Sequence, residues 1–188
     1  LYVKMDLTGR PFEIVNLKML SDLVLKDTSL ITLTGPTGED VKKQAVNMVG
    51  ENNLKTMIEM FTYCLPGKQV SKGDDWSVKQ KMSSGGMMLD IVTTYHLDGI
   101  KDNYADITAE SVIQAAENAD PIQSGSATVT YDDLKGLTRS DMVVDIRSGL
   151  LVESKEKLHI TGNLGVSGPG FSMQIPLDIN SESKVDAL

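Results

Sequence analysis

The sequence predicts an α+β fold, in which a curved antiparallel β-sheet (a half-barrel) packs on two or three helices. Residues 75–188 alternate apolar and polar side chains, as antiparallel strands with one buried face do. Residues 17–65 instead repeat apolar residues at helical spacing. Because turn residues divide the alternating part, we expect about six to eight strands, within a single domain spanning residues 1–188.

The first residues predict a hairpin and then a short helix. Residues 2–7 and 12–15 are strand-like, and Gly9-Arg10-Pro11 separates them. The short helix is indicated by four apolar residues at the spacing of one helix face, namely Leu17, Leu20, Leu23 and Val24.

Two more helices are predicted before the Pro66-Gly67 pair ends the helical region. Thr37 to Asp40 resemble a capping box at the start of the first of them. The apolar faces that follow are Val41, Ala45 and Met48, then Leu54, Met57, Ile58 and Phe61. At about 100° per residue these faces point in nearly opposite directions. We therefore expect a break between Gly50 and Asn53, where glycine ends one helix and asparagine caps the next.

The rest of the sequence predicts the strands. Their alternating apolar residues are Trp76, Val78 and Met82; Leu89, Ile91, Tyr95 and Leu97; Ala105, Ile107, Ala109 and Ile113; Ala127, Val129 and Tyr131; Met142, Val144 and Ile146; and Phe171, Met173, Ile175, Leu177 and Ile179. Turn signals occur at Ser84-Gly85-Gly86, Asp120-Pro121, Gly136, Gly149 and Gly168-Pro169-Gly170.

The turn at Gly149 predicts a register. A two-residue loop would put the apolar residues of its two strands on opposite faces. A three-residue loop, Arg147 to Gly149, would pair Val144 with Val152 and keep the apolar residues on one face. We therefore expect the odd loop, with Gly149 in the left-handed conformation.

Charge and composition exclude several classes of protein. The formal net charge is −8 and the pI is about 4.7, which argues against binding to nucleic acid or to an anionic membrane surface. No stretch approaches the roughly 20 apolar residues of a transmembrane helix, and no signal peptide is evident. Because the chain opens on Leu1, we expect a processed or trimmed product. The single cysteine, Cys64, excludes an intrachain disulfide and a thiolate zinc site.

The histidines and the paired aspartates are weak candidates for chemistry. His96 and His159 both fall on the polar faces of predicted strands, without ligands at metal-binding spacing. Asp74-Asp75 and Asp132-Asp133 are adjacent carboxylates, but neighbours on a strand point to opposite faces. We interpret them as turn and strand-start residues, since a calcium loop needs spaced oxygen ligands.

Three other segments favour structural roles. Gly162 to Gly170 lacks the Lys-Ser/Thr ending and the helix of a phosphate loop, so we interpret it as a hairpin tip or a bulged strand. Thr34 to Gly38 precedes a helix whose positive end Glu39 and Asp40 already occupy. Cys64 has no visible base and is interpreted as a buried packing thiol.

The methionines leave two interpretations open: an ordinary core, or a pliable cavity for a lipid-like ligand or apolar peptide. The methionines to which this applies are Met48, Met57, Met60, Met82, Met87, Met88, Met142 and Met173. No catalytic, cofactor-binding or metal-binding residue is assigned, and we expect neither a cofactor nor an enzyme.

Two stretches resemble a family of secreted bacterial lipoproteins of unknown function. Leu65-Pro66-Gly67-Lys68-Gln69-Val70-Ser71-Lys72-Gly73-Asp74-Asp75-Trp76 is similar to the entry to the sheet in that family, and Asp145-Ile146-Arg147-Ser148-Gly149-Leu150 to one of its hairpins. The second also resembles lipoprotein-carrier half-barrels. The resemblance implies a protein of the periplasm or cell surface, with a lipid anchor upstream of this chain, and it brings no catalytic residue.

Two functions are compatible with these observations. The first is a non-enzymatic cell-envelope protein that binds a lipid, another apolar ligand or a partner protein between the sheet and the helices. The second is a structural or interaction module of a larger cell-envelope assembly, with a solid core and an exposed apolar patch or sheet edge.

Overall fold

The chain is mostly β-structure in the computed structural model. It divides into two compact units, Leu1–Lys68 and Gln69–Leu188. No helix in the part described is both long and apolar enough to cross a membrane. The structure describes residues 2–19, 22–23, 50–62, 64–84, 87–117, 121–124 and 126–186.

The first unit begins with the predicted hairpin. Strand β1 (Val3–Met5) pairs antiparallel with β2 (Pro11–Ile14). The Asp6 carboxylate holds the turn: it accepts hydrogen bonds from the Thr8 hydroxyl and from the backbone N–H groups of Thr8 (2.8 Å) and Arg10 (3.0 Å). These bonds, the Thr8 hydroxyl above all, lower the pKa of Asp6 because they favour its charged form.

Helix α1 (Glu51–Thr62) confirms a helix start near Gly50. The Leu54 N–H donates to the Gly50 carbonyl at 3.0 Å, so Gly50, and not Asn53, precedes the first turn. The Thr62 hydroxyl donates to the Gly9 carbonyl at 2.7 Å and ties α1 to the hairpin. Helical residues also occur at 17–19 and 22–23. Thr34 to Gly38 and the helix predicted after Thr37 lie outside the described residues.

The second unit is a seven-stranded antiparallel sheet, which confirms the predicted number and direction of strands. The strand order is β3-β4-β5-β7-β8-β9, with β6 paired to β7. The strands are β3 (Asp75–Ser84), β4 (Met87–Lys101), β5 (Tyr104–Ala115), β6 (Ile122–Ser124), β7 (Ala127–Asp145), β8 (Leu150–Gly168) and β9 (Phe171–Asp186).

The predicted α+β class is wrong. The described residues are mostly β, with an open antiparallel sheet and only short helical segments. Helix α1 contacts β2 of its own unit. Helical spacing correctly located α1, but periodicity shows only that a helix has an apolar face and not which element covers it.

One face of the sheet forms the core, as the alternation predicts. Trp76 and Tyr95 stack on it with ring centroids 5.4 Å apart. Polar groups on this face are paired, since Thr93 and Ser111 share a 2.9 Å hydrogen bond and the Ser140 hydroxyl donates to Glu156 at 3.2 Å. The buried apolar side chains are Trp76, Val78, Leu89, Tyr95, Leu97, Ala105, Ile107, Ala109, Ile113, Leu134 and Val144.

A β-bulge keeps the apolar residues of β7 on that face. Asp133 and Leu134 together lie opposite the single residue Gly162 of β8, and Asp133 has a positive φ of 52°. The extra residue moves the apolar positions from odd numbers, as at Tyr131, to even numbers, as at Leu134. Both side chains belong to one core cluster.

Gly136 does not form the predicted turn. It is buried inside β7, so the segments 127–131 and 142–145 belong to one strand, and Ile146 lies in the loop that follows. A Cβ at Gly136 would lie 3.0 Å from Ile160 Cγ1 and 3.1 Å from Ile113 Cβ. Glycine is therefore required by the close packing of β5 and β8 beside it.

The turn between β7 and β8 is a four-residue loop, Ile146 to Gly149, closed by the pair Asp145 and Leu150. The predicted three-residue loop is wrong, although Gly149 does adopt a positive φ of 70°. A second bulge, at Val152, then shifts the pairing by one residue. It restores the register that the odd loop was expected to supply.

Replacement of Asp145 by asparagine should lower stability at neutral pH. The Arg147 backbone N–H donates to the Asp145 carboxylate at 2.9 Å, and this bond, followed by the Arg147 guanidinium, lowers the pKa of Asp145. Such a group stabilises the fold above its ordinary pKa of about 3.9 and loses that contribution as pH falls through the folded value. The Tm difference between wild type and Asp145→Asn should therefore be present at about pH 7 and vanish by about pH 2.

Thermal unfolding followed by circular dichroism across this pH range tests the expectation. Asp106→Asn, at an exposed position on β5, is the control for removal of a surface carboxylate and should change the Tm at about pH 7 less than Asp145→Asn does. A Tm gap for Asp145→Asn that is equally large in acid contradicts the assignment.

Candidate functional site

The core face of the sheet continues into an apolar surface at one end of β7, β8 and β9. Tyr131 lies opposite Leu164, which lies opposite Ile175. These residues share the core face, since Tyr131 packs against the cluster around Leu134. We define the apolar patch as Val129, Tyr131, Leu164, Val166, Phe171, Met173, Ile175, Leu177 and Ile179.

The β9 side of the patch is exposed. The exposed fractions are 48% for Phe171, 52% for Met173, 42% for Ile175 and 45% for Ile179. No residue of the patch is charged. A contiguous exposed apolar surface is typical of an interaction site, whereas single exposed apolar residues are common.

The β8–β9 hairpin brings these residues together. Gly168 pairs with Phe171 across a two-residue loop, Pro169-Gly170, in which Gly170 has a φ of 83°. Proline followed by glycine suits the two central positions of a type II turn. The alternation in β9 correctly predicted which residues share this face. It wrongly predicted that the face is buried, because a periodic pattern does not show whether anything covers it.

The free edge of β9 is blunted against further strand pairing. A two-residue loop makes Gly168 and Phe171 a hydrogen-bonded pair. In an antiparallel ladder such pairs alternate with non-hydrogen-bonded ones, so every second residue of β9, including Pro176, points its backbone polar groups away from β8. Pro176 has no N–H to offer an added strand. Four charged side chains follow at the same alternate positions, namely Asp178, Glu182, Lys184 and Asp186. Edge charges and proline discourage strand addition.

The structure does not bring the two histidines together. His96 on β4 and His159 on β8 are separated by β5 and β7. His96 Nδ1 lies 2.7 Å from Asp75 Oδ1, and His159 Nε2 lies 3.0 Å from Asp178 Oδ1. Both lie on the polar face, as predicted, but each also pairs with an aspartate on an adjacent strand. Among the described residues no group of three or more His, Cys, Asp or Glu could hold a metal ion.

The aspartate pairs have different roles. Asp74 accepts a hydrogen bond from the Ser71 N–H at 2.8 Å, and Asp75 starts β3, so the first pair is a turn and strand start as interpreted. That interpretation is wrong for Asp132 and Asp133, which lie inside β7 at the bulge.

The remaining candidates are structural. The glycine-rich stretch from Gly162 to Gly170 forms the end of β8 and the following turn. Cys64 is buried, and burial raises the pKa of its thiol to about 11, far from that of a reactive thiolate.

The methionines whose side chains the structure describes do not form one cluster. Met82 packs at the edge of the core, whereas Met88 and Met173 are exposed. Met48 and the side chains of Met57, Met60 and Met87 lie outside what the structure describes.

A groove of about 490 Å³ lies on the opposite, polar face. Two exposed apolar side chains, Val112 and Leu137, are at its centre. Ion pairs border it, with Arg139 3.6 Å from Glu110 and Lys157 3.2 Å from Glu182. Sequence reasoning missed this groove, although Leu137 interrupts the polar half of the alternation and was a possible signal.

Fold and surface together define an open antiparallel sheet protein with a partly exposed apolar face. The model of DUF6263, a family of unknown function, matches residues 1–151, and the chain belongs to this family. The expectation that the chain belongs to a family of unknown function is confirmed. No curated protein and no solved structure matches the chain. The matched region ends at Leu151 in β8, so β9 and most of the apolar patch lie beyond it.

Proposed function

We propose that this chain is a non-enzymatic cell-envelope protein that binds a partner protein through the apolar patch. The observation that carries the proposal is the exposure of four large apolar side chains in a row on β9, between 42% and 52%, next to a formed core. Burial of such a surface provides the main favourable free energy of protein association.

A partner protein fits this surface better than a lipid does. Small apolar ligands are usually held in clefts that bury most of their surface, whereas the patch lies on the open face of three strands. The sequence alone placed the ligand or partner between sheet and helices. Because the sheet is open and the β9 side of the patch is exposed, we place the partner on the patch.

The cell-envelope location, including a lipid anchor upstream of the chain, rests on the resemblance to secreted bacterial lipoproteins. Its two motifs contain the turns at Gly73 and Gly149, whose φ angles are 90° and 70°. The first motif leads into β3 and the second joins β7 to β8, as the resemblance implies.

Photo-crosslinking in the host organism tests the proposal. A photoreactive residue at Met173, in the patch, should give a discrete protein adduct. The same residue at Leu137, exposed and apolar on the opposite face, is the matched control and should give none. The adduct at position 173 should also decrease when Ile175 is replaced by lysine.

Mass spectrometry of the adduct identifies what binds. A lipid in place of a protein at position 173 contradicts the proposal and supports the apolar-ligand alternative. Equal labelling at both positions, or none at position 173, also contradicts it.

A further inference from the structure

We infer that the partner is a second copy of this chain: two apolar patches pack face to face and form a weak homodimer with a two-fold axis. This inference rests on the proposed function and names the partner. A two-fold interface buries the same surface on both copies, so the surface must be complementary to itself.

The chemistry of the patch satisfies this condition. It contains only aliphatic, methionine and aromatic side chains, so two copies meet without bringing like charges together. Sheets that pack face to face interdigitate such side chains at a spacing of about 10 Å. The side chains of Met173 and Phe171, exposed by 52% and 48%, are the most exposed of the four on β9 and are expected to interdigitate with the partner.

The area is sufficient for a reversible dimer. A large apolar side chain has a surface on the order of 200 Å², so the four half-exposed residues and their neighbours offer roughly 500 Å² per copy. Two copies then bury roughly 1,000 Å², which is at the lower limit for a specific interface. We therefore expect a weak, reversible dimer and not a permanent one.

Edge-to-edge pairing, the other way to join two sheets, is disfavoured on β9. Pro176 and the charged side chains that follow it at alternate positions occupy the free edge. Each copy also carries a net charge of −8, so two copies repel one another over distances that salt screens. An apolar self-interface should therefore tighten as salt is added, whereas a contact with a basic partner should weaken.

Sedimentation equilibrium of the full chain at about 50 and about 500 mM NaCl tests the inference. Wild type should dimerise, with affinity rising several-fold at the higher salt. Met173→Lys should weaken dimerisation by at least about tenfold, because it places two charges in the interface. Leu137→Lys adds the same charge on the opposite face and should leave the affinity unchanged. Phe171→Ser, which adds no charge, is a second patch variant.

The outcomes separate this inference from the proposed function. A wild type that stays monomeric at about 1 mM, or a dimer that is insensitive to both patch variants, overturns the inference. If crosslinking at Met173 then still captures a different protein in the host, the proposed function stands. Both are supported when wild type dimerises through the patch in solution and crosslinking at Met173 captures a second copy of the chain. If crosslinking captures nothing, both fail.

Discussion

Replacement of Leu134 by alanine is expected to lower the free energy of unfolding by about 2–5 kcal/mol. Leu134 is 4% exposed and lies in the core cluster with Leu89 and Ile113. Its truncation removes buried apolar surface and leaves a cavity that the neighbouring strands fill only in part. Because the β-bulge fixes the backbone at this residue, the strand has little freedom to move into the space.

Equilibrium unfolding in urea measures this loss. Leu137→Ala is the matched control, since Leu137 lies three residues further along the same strand and is 62% exposed. Its effect should stay within about 0.5 kcal/mol. A loss below about 1 kcal/mol for Leu134→Ala, or equal losses for both variants, would mean that the bulge does not direct Leu134 into the core.

Replacement of Gly162 by alanine is expected to cost about 1–3 kcal/mol, although it adds only one methyl group. A Cβ at this position would lie 2.9 Å from Leu134 Cα and 3.3 Å from the backbone oxygen of Asp132. Both are backbone atoms of the bulged strand, so no side-chain rotation relieves the contact. The bulge or the pairing of β7 with β8 must shift instead.

Gly99→Ala controls for the glycine-to-alanine change itself. Gly99 also lies in a strand, but no atom lies within 4 Å of a Cβ built there. Its replacement should be neutral or slightly stabilising, since alanine restricts the unfolded chain. The midpoints of urea unfolding of both variants give the comparison. Equal stability of Gly162→Ala and wild type would show that β7 and β8 are not in close contact at the bulge.

The two alanine variants concern the part of the fold that sequence patterns did not predict. Odd apolar positions up to Tyr131 and even ones from Met142 suggested two strands with a turn at Gly136. A single bulge at Asp133 and Leu134 instead joins them into one strand of 19 residues. One strand with an inserted residue and two strands separated by a turn give the same alternating sequence pattern. Only the pairing with β8 distinguishes the two structures.

The candidate site was predicted in part. The alternation from Phe171 to Ile179 correctly placed these apolar side chains on the core face, and Pro169-Gly170 correctly marked the turn before them. The exposure of β9 was not predictable, because a buried strand and a half-covered edge strand have the same period of two. The groove around Leu137 was not predicted, because it depends on which side chains the neighbouring strands bring together.

The sequence by itself determined which residues face the core, the antiparallel direction of the strands and the polar positions of His96 and His159. These features depend on local periodicity and turn chemistry, which a chain carries in its own residues. Only the tertiary structure decided that the described part of the chain is mostly β with an open sheet, that bulges at Leu134 and Val152 set the register, and that the apolar patch is exposed. These features depend on which distant segments meet, and a local pattern of apolar residues does not encode its partner.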